Sequence, residues 1–114
     1  MADSENNIRL AVLMTCHNRR ENTLECLEAL KKQTLSGASI TLFLVDDGST
    51  DGTGLAVQVL FPDVVLITGD GSLYWCGGMR VAFAKAIEGD YDFYLWLNDD
   101  TNINTDALSR LYQT

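Results

Sequence analysis

The sequence predicts an α/β domain with a mostly parallel sheet and flanking helices. Four short apolar runs alternate with stretches in which apolar residues recur at helical spacing. Runs that are apolar at almost every position are typical of strands covered on both faces. The predicted strands are residues 10–14, 40–45, 64–67 and 93–97. Strand–helix alternation repeated along the chain favours parallel strands joined by crossover helices.

The first three predicted helices lie between these strands. The first covers residues 21–33, where leucines repeat along one stripe. The second follows Ser49 or Thr50, either of which can cap a helix N-terminus through its hydroxyl. The third is expected to begin near Met79 and to stop at Gly89, because glycine commonly ends a helix.

A fourth predicted helix follows the last strand. It covers residues 105–112 and places Leu108 and Leu111 on one side. No linker, repeat or low-complexity segment interrupts the chain, and the only proline, Pro62, lies between two elements. Residues 1–114 are therefore predicted to form a single domain.

The amino-acid composition and net charge argue against some classes of binding partner. The net charge of −8 and the pI near 4.3 argue against nucleic acid, because an acidic surface repels phosphate backbones. The three cysteines are widely spaced and form no C-x-x-C pair, which indicates reduced thiols in a cytosolic protein. The polar, acidic first residues do not resemble a secretory signal, and no apolar run approaches the roughly 20 residues of a membrane span.

The residues with useful chemistry follow the strands. Parallel sheets bind ligands outside the carboxyl ends of their strands, at a switch in strand order. The loops expected at that edge are residues 15–19, 46–53, 69–72 and 98–101. Because these loops hold most of the candidate polar side chains, we expect one binding site at this edge.

Asp46 and Asp47 end the second predicted strand. A carboxylate in this place can accept hydrogen bonds from a base or a sugar edge. The alternative is turn formation, because the following residues are rich in glycine, serine and aspartate. A turn does not require two adjacent carboxylates after an apolar run, and we therefore favour ligand binding by this pair. The remaining alternative is that one of the two aspartates serves only the turn.

Asn98, Asp99 and Asp100 end the fourth predicted strand. Hard oxygen ligands at a rigid strand end suit Mg²⁺ or Mn²⁺, which bind through one or two carboxylates together with substrate phosphates. Side chains alternate across a strand, so Asn98 and Asp100 are expected to point the same way. Such a cation would bring a diphosphate to an acidic protein and stabilise it as a leaving group. The alternative is again a capped turn.

The glycine-rich stretch after the third strand is a further candidate. Gly71 and the pair Gly77–Gly78 would allow the backbone to approach a ligand, and the helix expected near Met79 would offer amide groups to an anion. Tyr74 and Trp75 could stack on a base or a sugar, although aromatic residues more often belong to a core.

Several other functions are disfavoured by missing motifs. The chain has no dinucleotide-binding G-x-G-x-x-G, no P-loop and no G-x-S-x-G elbow. His17 is the only histidine, which excludes a multi-histidine metal site.

The motifs together resemble the inverting glycosyltransferases of family 2, which have the GT-A fold. V-D-D-G-S-T-D-G-T at 45–53 is similar to the nucleotide-binding signature of that family, and T-C-H-N-R at 15–19 is similar to its first-strand loop. G-G-M-R-V-A at 77–82 resembles its G-G-x-N-x-G segment, with Arg80 and Ala82 at the usual asparagine and glycine. L-N-D-D-T at 97–101 resembles the metal motif of rhamnosyltransferase-like members.

This resemblance implies transfer of a sugar from a nucleoside-diphosphate sugar, such as a UDP-sugar, to a glycan, lipid or protein acceptor. It implies a sheet with the first strand between the second and the fourth. It also implies that Asp100 and Asn98 hold Mg²⁺ or Mn²⁺. The nucleotide-binding residues implied are Thr15, Asn18, Arg19, Asp46, Asp47, Gly71 and Asp99.

The family places its catalytic base and its acceptor pocket in a later part of the enzyme. The chain is therefore expected to be the nucleotide-sugar-binding part of a longer, cytoplasmic enzyme, inactive by itself, with peripheral membrane association of the full enzyme as the alternative location. An uncovered sheet edge would favour a homodimer. The competing functions are a non-catalytic nucleotide-binding module and a sugar-phosphate nucleotidyltransferase, although the second needs a glycine-rich loop where residues 16–19 have none.

Overall fold

Strands and helices alternate throughout the described part of the chain. The computed structural model describes residues 8–33 and 38–98. The elements are β1 (Ile8–Cys16), α1 (Arg20–Lys31), β2 (Ala38–Asp47), α2 (Thr53–Leu60), β3 (Val65–Gly69), α3 (Tyr74–Ala86) and β4 (Phe93–Trp96). The strands form one sheet in the order β3–β2–β1–β4, and each neighbouring pair is parallel. The prediction of a mostly parallel α/β sheet with flanking helices is thereby confirmed.

Helices cover both faces of the sheet, which explains the near-continuous apolar runs. On one face Val12 and Met14 of β1 pack in a cluster with residues of α1 and α2, including Leu27. On the opposite face Leu13 of β1 packs in a cluster with Met79 and other residues of α3. These side chains are almost completely buried, so β1 is the central strand of the core.

The order in which successive strands are added to the sheet changes direction at β1. From β1 it moves outward to β2 and β3, and it then crosses to the other side of β1 to form β4. Because β–α–β crossovers are right-handed, the two directions place their helices on opposite faces. The carboxyl edge beside β1 is therefore the switch point at which this type of sheet binds ligands.

The second helix is capped differently from the sequence prediction. α2 begins at Thr53, not directly after Ser49 or Thr50, and Gly52 precedes it in the left-handed conformation with a φ of 85°. The Thr53 amide donates instead to Asp51 Oδ1 at 3.1 Å. The cap prediction was wrong because the carboxylate of Asp51 satisfies this amide in place of a hydroxyl.

The third helix starts earlier than expected. α3 begins at Tyr74, not near Met79, so Gly77 and Gly78 lie inside the helix. A Cβ atom on Gly78 would lie 2.4 Å from Thr15 Oγ1. The glycine therefore permits close packing of α3 on β1, and the expectation that this pair opens a ligand loop before a helix N-terminus was wrong.

The predicted fourth helix, residues 105–112, lies outside the described residues, as do Asp99 and Asp100. None of the helices in the described ranges has the length and apolar character needed to cross a membrane. The assignment of residues 1–114 to a single domain stays a prediction.

Candidate functional site

The loops after β1 and β2 are joined by Asn18. Its backbone N–H donates to Ser49 Oγ at 2.9 Å, and its side-chain Oδ1 accepts the Thr50 N–H at 2.7 Å. Asn18 has a φ of 51°, a left-handed conformation that asparagine adopts more readily than most residues. The side chain is thus engaged in holding the two loops together at the carboxyl edge.

His17 links the same loop to the end of β2. Its Nδ1 lies 2.6 Å from the backbone carbonyl oxygen of Asp47. A carbonyl oxygen only accepts, so the geometry assigns the proton to Nδ1. The Asn18 side-chain amide lies 3.3 Å from Nε2 and donates to it. Both ring nitrogens are therefore hydrogen-bonded, and His17 links the loop after β1 to the end of β2.

The carboxylate of Asp47 anchors the loop before α3. Oδ1 accepts the Gly71 N–H at 2.8 Å, and Oδ2 accepts the Leu73 N–H at 3.1 Å and the Tyr74 N–H at 2.8 Å. Only 1% of the Asp47 surface is exposed. This set of hydrogen bonds fixes the first turn of α3, where Tyr74 has the uncommon φ of 57°.

Asp46 points to the other face of β2. Its Oδ1 accepts the Ser49 N–H at 3.2 Å and the weaker Cys16 Sγ–H at 3.9 Å. A Cβ atom on Gly54 would lie 2.5 Å from Asp46 Oδ2, so the first turn of α2 passes directly over this carboxylate. Asp47 therefore anchors the start of α3, whereas Asp46 lies close against the start of α2.

Gly48 brings the loop after β2 against the loop after β3. It has a φ of 71°, and a Cβ atom there would lie 2.7 Å from the Gly71 backbone nitrogen. Both the backbone conformation and the close approach require glycine at this position.

A cleft of about 270 Å³ opens beside these loops. Its floor includes Thr15, whose Oγ1 is buried and makes no hydrogen bond within the described part of the chain. Tyr74 and Trp75 form one wall, and they expose 76% and 45% of their surfaces. The lining residues are Thr15, Cys16, His17, Arg19, Asp47, Gly71, Tyr74 and Trp75. The two exposed aromatic rings offer flat faces on which a planar ligand can stack.

The cleft brings together four of the residues that the sequence nominated: Thr15, Arg19, Asp47 and Gly71. Asn18 does not line the cleft but joins the loops after β1 and β2. Asp46 is buried on the opposite face of β2. Asn98 is exposed just after β4, and its backbone carbonyl accepts the Cys26 Sγ–H at 3.7 Å. The individual binding roles stay predictions.

Two other carboxylates near this edge are poor proton acceptors. The hydroxyl of Thr53 donates to Asp51 and lowers the pKa of that carboxyl, and the hydroxyl of Ser72 does the same for Asp70. A general base works best with a pKa near the operating pH. Neither aspartate is therefore a candidate base. Within residues 8–33 and 38–98, no group of three or more His, Cys, Asp or Glu side chains could hold a metal ion.

A parallel sheet wound in both directions from β1, with a cleft at the switch point, defines the class of doubly wound α/β domains. Within that class, the chain belongs to glycosyl transferase family 2, whose model matches residues 11–114. This membership confirms the family predicted from the motifs.

Solved structures show the same fold. TarS of S. aureus, residues 1–349, aligns with 93% of this chain at 22% identity and a TM-score of 0.72. The complex of TarS with UDP aligns at 22% identity and a TM-score of 0.73. Its complex with UDP-GlcNAc aligns at 23% identity and a TM-score of 0.76, and both alignments cover 93% of this chain. The chain spans 32%, 31% and 30% of those three chains, about a third of their length. Among curated proteins no match is found.

Proposed function

We propose that this chain forms the donor-binding part of a glycosyltransferase that moves a sugar from a nucleoside-diphosphate sugar to an acceptor hydroxyl. The observation that carries the proposal is the cleft at the switch point, which is lined by residues at the ends of β1 and β2 and by the exposed aromatic side chains of Tyr74 and Trp75. Membership of family 2 and the UDP-GlcNAc complex of TarS, a protein of similar fold, support a UDP-sugar as the donor.

The cleft offers separate groups to the parts of such a donor. An aromatic ring at Tyr74 offers a face on which the base can stack. Arg19 supplies positive charge at the rim for the diphosphate. Asp47 holds the Tyr74 segment through the backbone, so we assign it a positioning role in addition to the nucleotide contact that the motif implies.

A divalent cation fits the chemistry of the neighbouring loop. Asn98 and Asp100 would supply oxygen ligands to Mg²⁺ or Mn²⁺, with Asp99 beside them toward the nucleotide. When bound, the cation would stabilise the departing diphosphate. The protein's own net charge of −8 makes unassisted diphosphate binding unfavourable, which supports this assignment.

The finer features of the reaction rest on the family motifs. They are inversion at the transferred sugar, a glycan, lipid or protein acceptor, and a cytoplasmic or membrane-peripheral location. A homodimer through the edge strand β4 is part of the same proposal. The alternative function is a nucleotide-binding module without turnover. It is favoured by the lowered pKa of Asp51 and Asp70, which leaves neither suited to act as the base.

The test compares two exposed aromatic side chains that differ in place. Tyr74 exposes 76% of its surface and lines the cleft, whereas Phe93 of β4 exposes 51% and does not line it. We expect Tyr74→Ala to weaken binding of UDP and UDP-sugars by roughly five- to a hundredfold, since stacking of a base on an aromatic ring contributes about 1–3 kcal/mol. Phe93→Ala should leave it unchanged. Calorimetric titration of both variants measures this, and equal affinities in the two would remove the cleft as the nucleotide site.

A further inference from the structure

Tyr74 has a backbone conformation that its residue type rarely adopts. Its φ of 57° lies in the left-handed region, where the Cβ atom of an L-residue crowds the backbone. The other described residues with a positive φ are of types that tolerate this region, namely Gly48, Gly52, Gly71 and Asn18. Within residues 8–33 and 38–98, Tyr74 is therefore the one residue with a large side chain that is held in this unfavourable conformation.

The carboxylate of Asp47 accounts for this conformation. Leu73 has a right-handed helical backbone, with a φ of −78° and a ψ of −37°, and Tyr74 follows it in the left-handed region. Successive residues with these two conformations direct their N–H groups into one concavity, which binds an anion. Here the anion is the buried Asp47 side chain, whose Oδ2 accepts the Leu73 N–H at 3.1 Å and the Tyr74 N–H at 2.8 Å. These two hydrogen bonds therefore require the positive φ of Tyr74.

Asp47 is itself held firmly in place. It is the last residue of β2 and pairs with Gly69 of β3, and its carbonyl oxygen lies 2.6 Å from His17 Nδ1. A Cβ atom on Gly69 would lie 2.7 Å from Asp47 Oδ1, so β3 packs directly against the carboxylate. The strain at Tyr74 is therefore not relieved by a shift of the acceptor.

The side chain of Tyr74 does not offset the strain by packing. Burial of an aromatic side chain stabilises a fold, but Tyr74 exposes 76% of its surface. Its ring lines the cleft beside Trp75. Strained backbone conformations concentrate at binding sites, where the surrounding structure enforces them, and Tyr74 fits this pattern.

We infer that this backbone conformation, although it lowers the stability of the fold, is what holds an aromatic ring at the wall of the cleft. Asp47 fixes the start of α3 and with it the place of the ring before a ligand arrives, so that binding does not have to order this segment. A glycine at position 74 would make the same hydrogen bonds without strain but would present no ring. The inference rests on the proposed function, because the ligand that the ring serves is the base of a nucleoside diphosphate.

The test measures stability and ligand affinity together in the 114-residue chain. Tyr74→Gly should raise the urea midpoint of unfolding by roughly 0.2–1 M, because glycine adopts a positive φ without crowding. The same variant should weaken UDP binding roughly five- to a hundredfold in calorimetric titration, because the stacking ring is lost. The matched control is Cys76→Gly, at an exposed position on the same turn of α3 where φ is not positive. It should lower the urea midpoint and leave the UDP affinity unchanged.

A second background tests the role of Asp47. In Asp47→Asn the side chain no longer accepts both N–H groups as a carboxylate does, so Tyr74 can relax. Tyr74→Gly should therefore raise the urea midpoint by less in this background than in the unmodified chain. Equal gains in the two backgrounds, or no gain in the unmodified chain, would overturn the inference.

The two measurements also separate this inference from the proposed function. A missing gain in the urea midpoint together with intact UDP binding would refute the inference alone. A gain in the midpoint with unchanged UDP affinity would refute the purpose of the strain, because the ring would then contribute nothing to the nucleotide. An unmodified chain that does not bind UDP would refute the proposed function and, with it, the inference.

Discussion

The replacement Asp47→Asn probes the anchoring of the cleft wall. The carboxylate accepts N–H groups from Gly71, Leu73 and Tyr74, and the residue is almost completely buried. An asparagine side chain has one oxygen and one NH₂ group, and the NH₂ group would face at least one backbone N–H. The variant therefore loses a hydrogen bond to a charged acceptor and leaves a buried donor without a partner.

The expected loss follows from these contacts. A hydrogen bond to a charged group contributes about 1.5–3 kcal/mol, and the free energy of unfolding should fall by about that amount. Because the same bonds hold Tyr74 at the cleft, UDP affinity should fall roughly ten- to a hundredfold. Urea unfolding and calorimetric titration of the same preparation give the two quantities. The exposed change Asp63→Asn serves as the control and should alter neither.

The two readouts separate the roles of Asp47. A loss of nucleotide affinity with an unchanged free energy of unfolding would make Asp47 a direct ligand only and refute the anchoring argument. Unchanged values of both quantities would show that the three hydrogen bonds contribute nothing, and the reasoning from burial would fail.

Three further predictions concern the neighbouring loops. Gly48→Ala should lower the free energy of unfolding by more than Gly52→Ala in urea titrations. Both positions have a positive φ, which costs an alanine about 1–2 kcal/mol, but only at Gly48 would the added Cβ atom meet backbone, at 2.7 Å. Equal losses in the two variants would contradict the importance of the contact with Gly71. Asp51 has a lowered pKa in the folded state, so its contribution to stability is present above the ordinary value of 3.8 and lost as the pH falls through the lower folded value. Asp51→Asn should therefore flatten the dependence of the free energy of unfolding on pH in that acidic range. An unchanged slope would contradict this. Asp100→Ala should abolish any gain in UDP affinity that Mn²⁺ provides in calorimetry, and an affinity that EDTA leaves untouched in the unmodified chain would exclude the cation.

The strands were predictable from the sequence because burial on both faces is a local signal. Each residue of a run such as 10–14 must be apolar when helices cover both sides, and this pattern survives without knowledge of the partners. The carboxyl edge as the place of the site was predictable for a similar reason, since parallel strands bring their following loops together.

The details that sequence reasoning missed depend on distant partners. The start of α3 is set by Asp47, which lies 27 residues before Tyr74, and no local pattern around Tyr74 reports that bond. The neighbours of Gly78 in the sequence suggest a loop, because its contact with Thr15 is made by a distant strand. The hydrogen bond between His17 and the Asp47 carbonyl also had no signal in the chain order.

The central position of β1 also has a consequence for the order of folding. β1 pairs with β2, which follows it closely, and with β4, whose Asp92 flank joins Arg9 across a separation of 83 residues. Contacts between such distant residues close large loops and slow the folding of parallel sheets. While the chain is synthesised, one edge of β1 therefore stays unpaired until β4 has left the ribosome. During that interval the exposed edge of the most deeply buried strand is where a chaperone would act and where aggregation would begin.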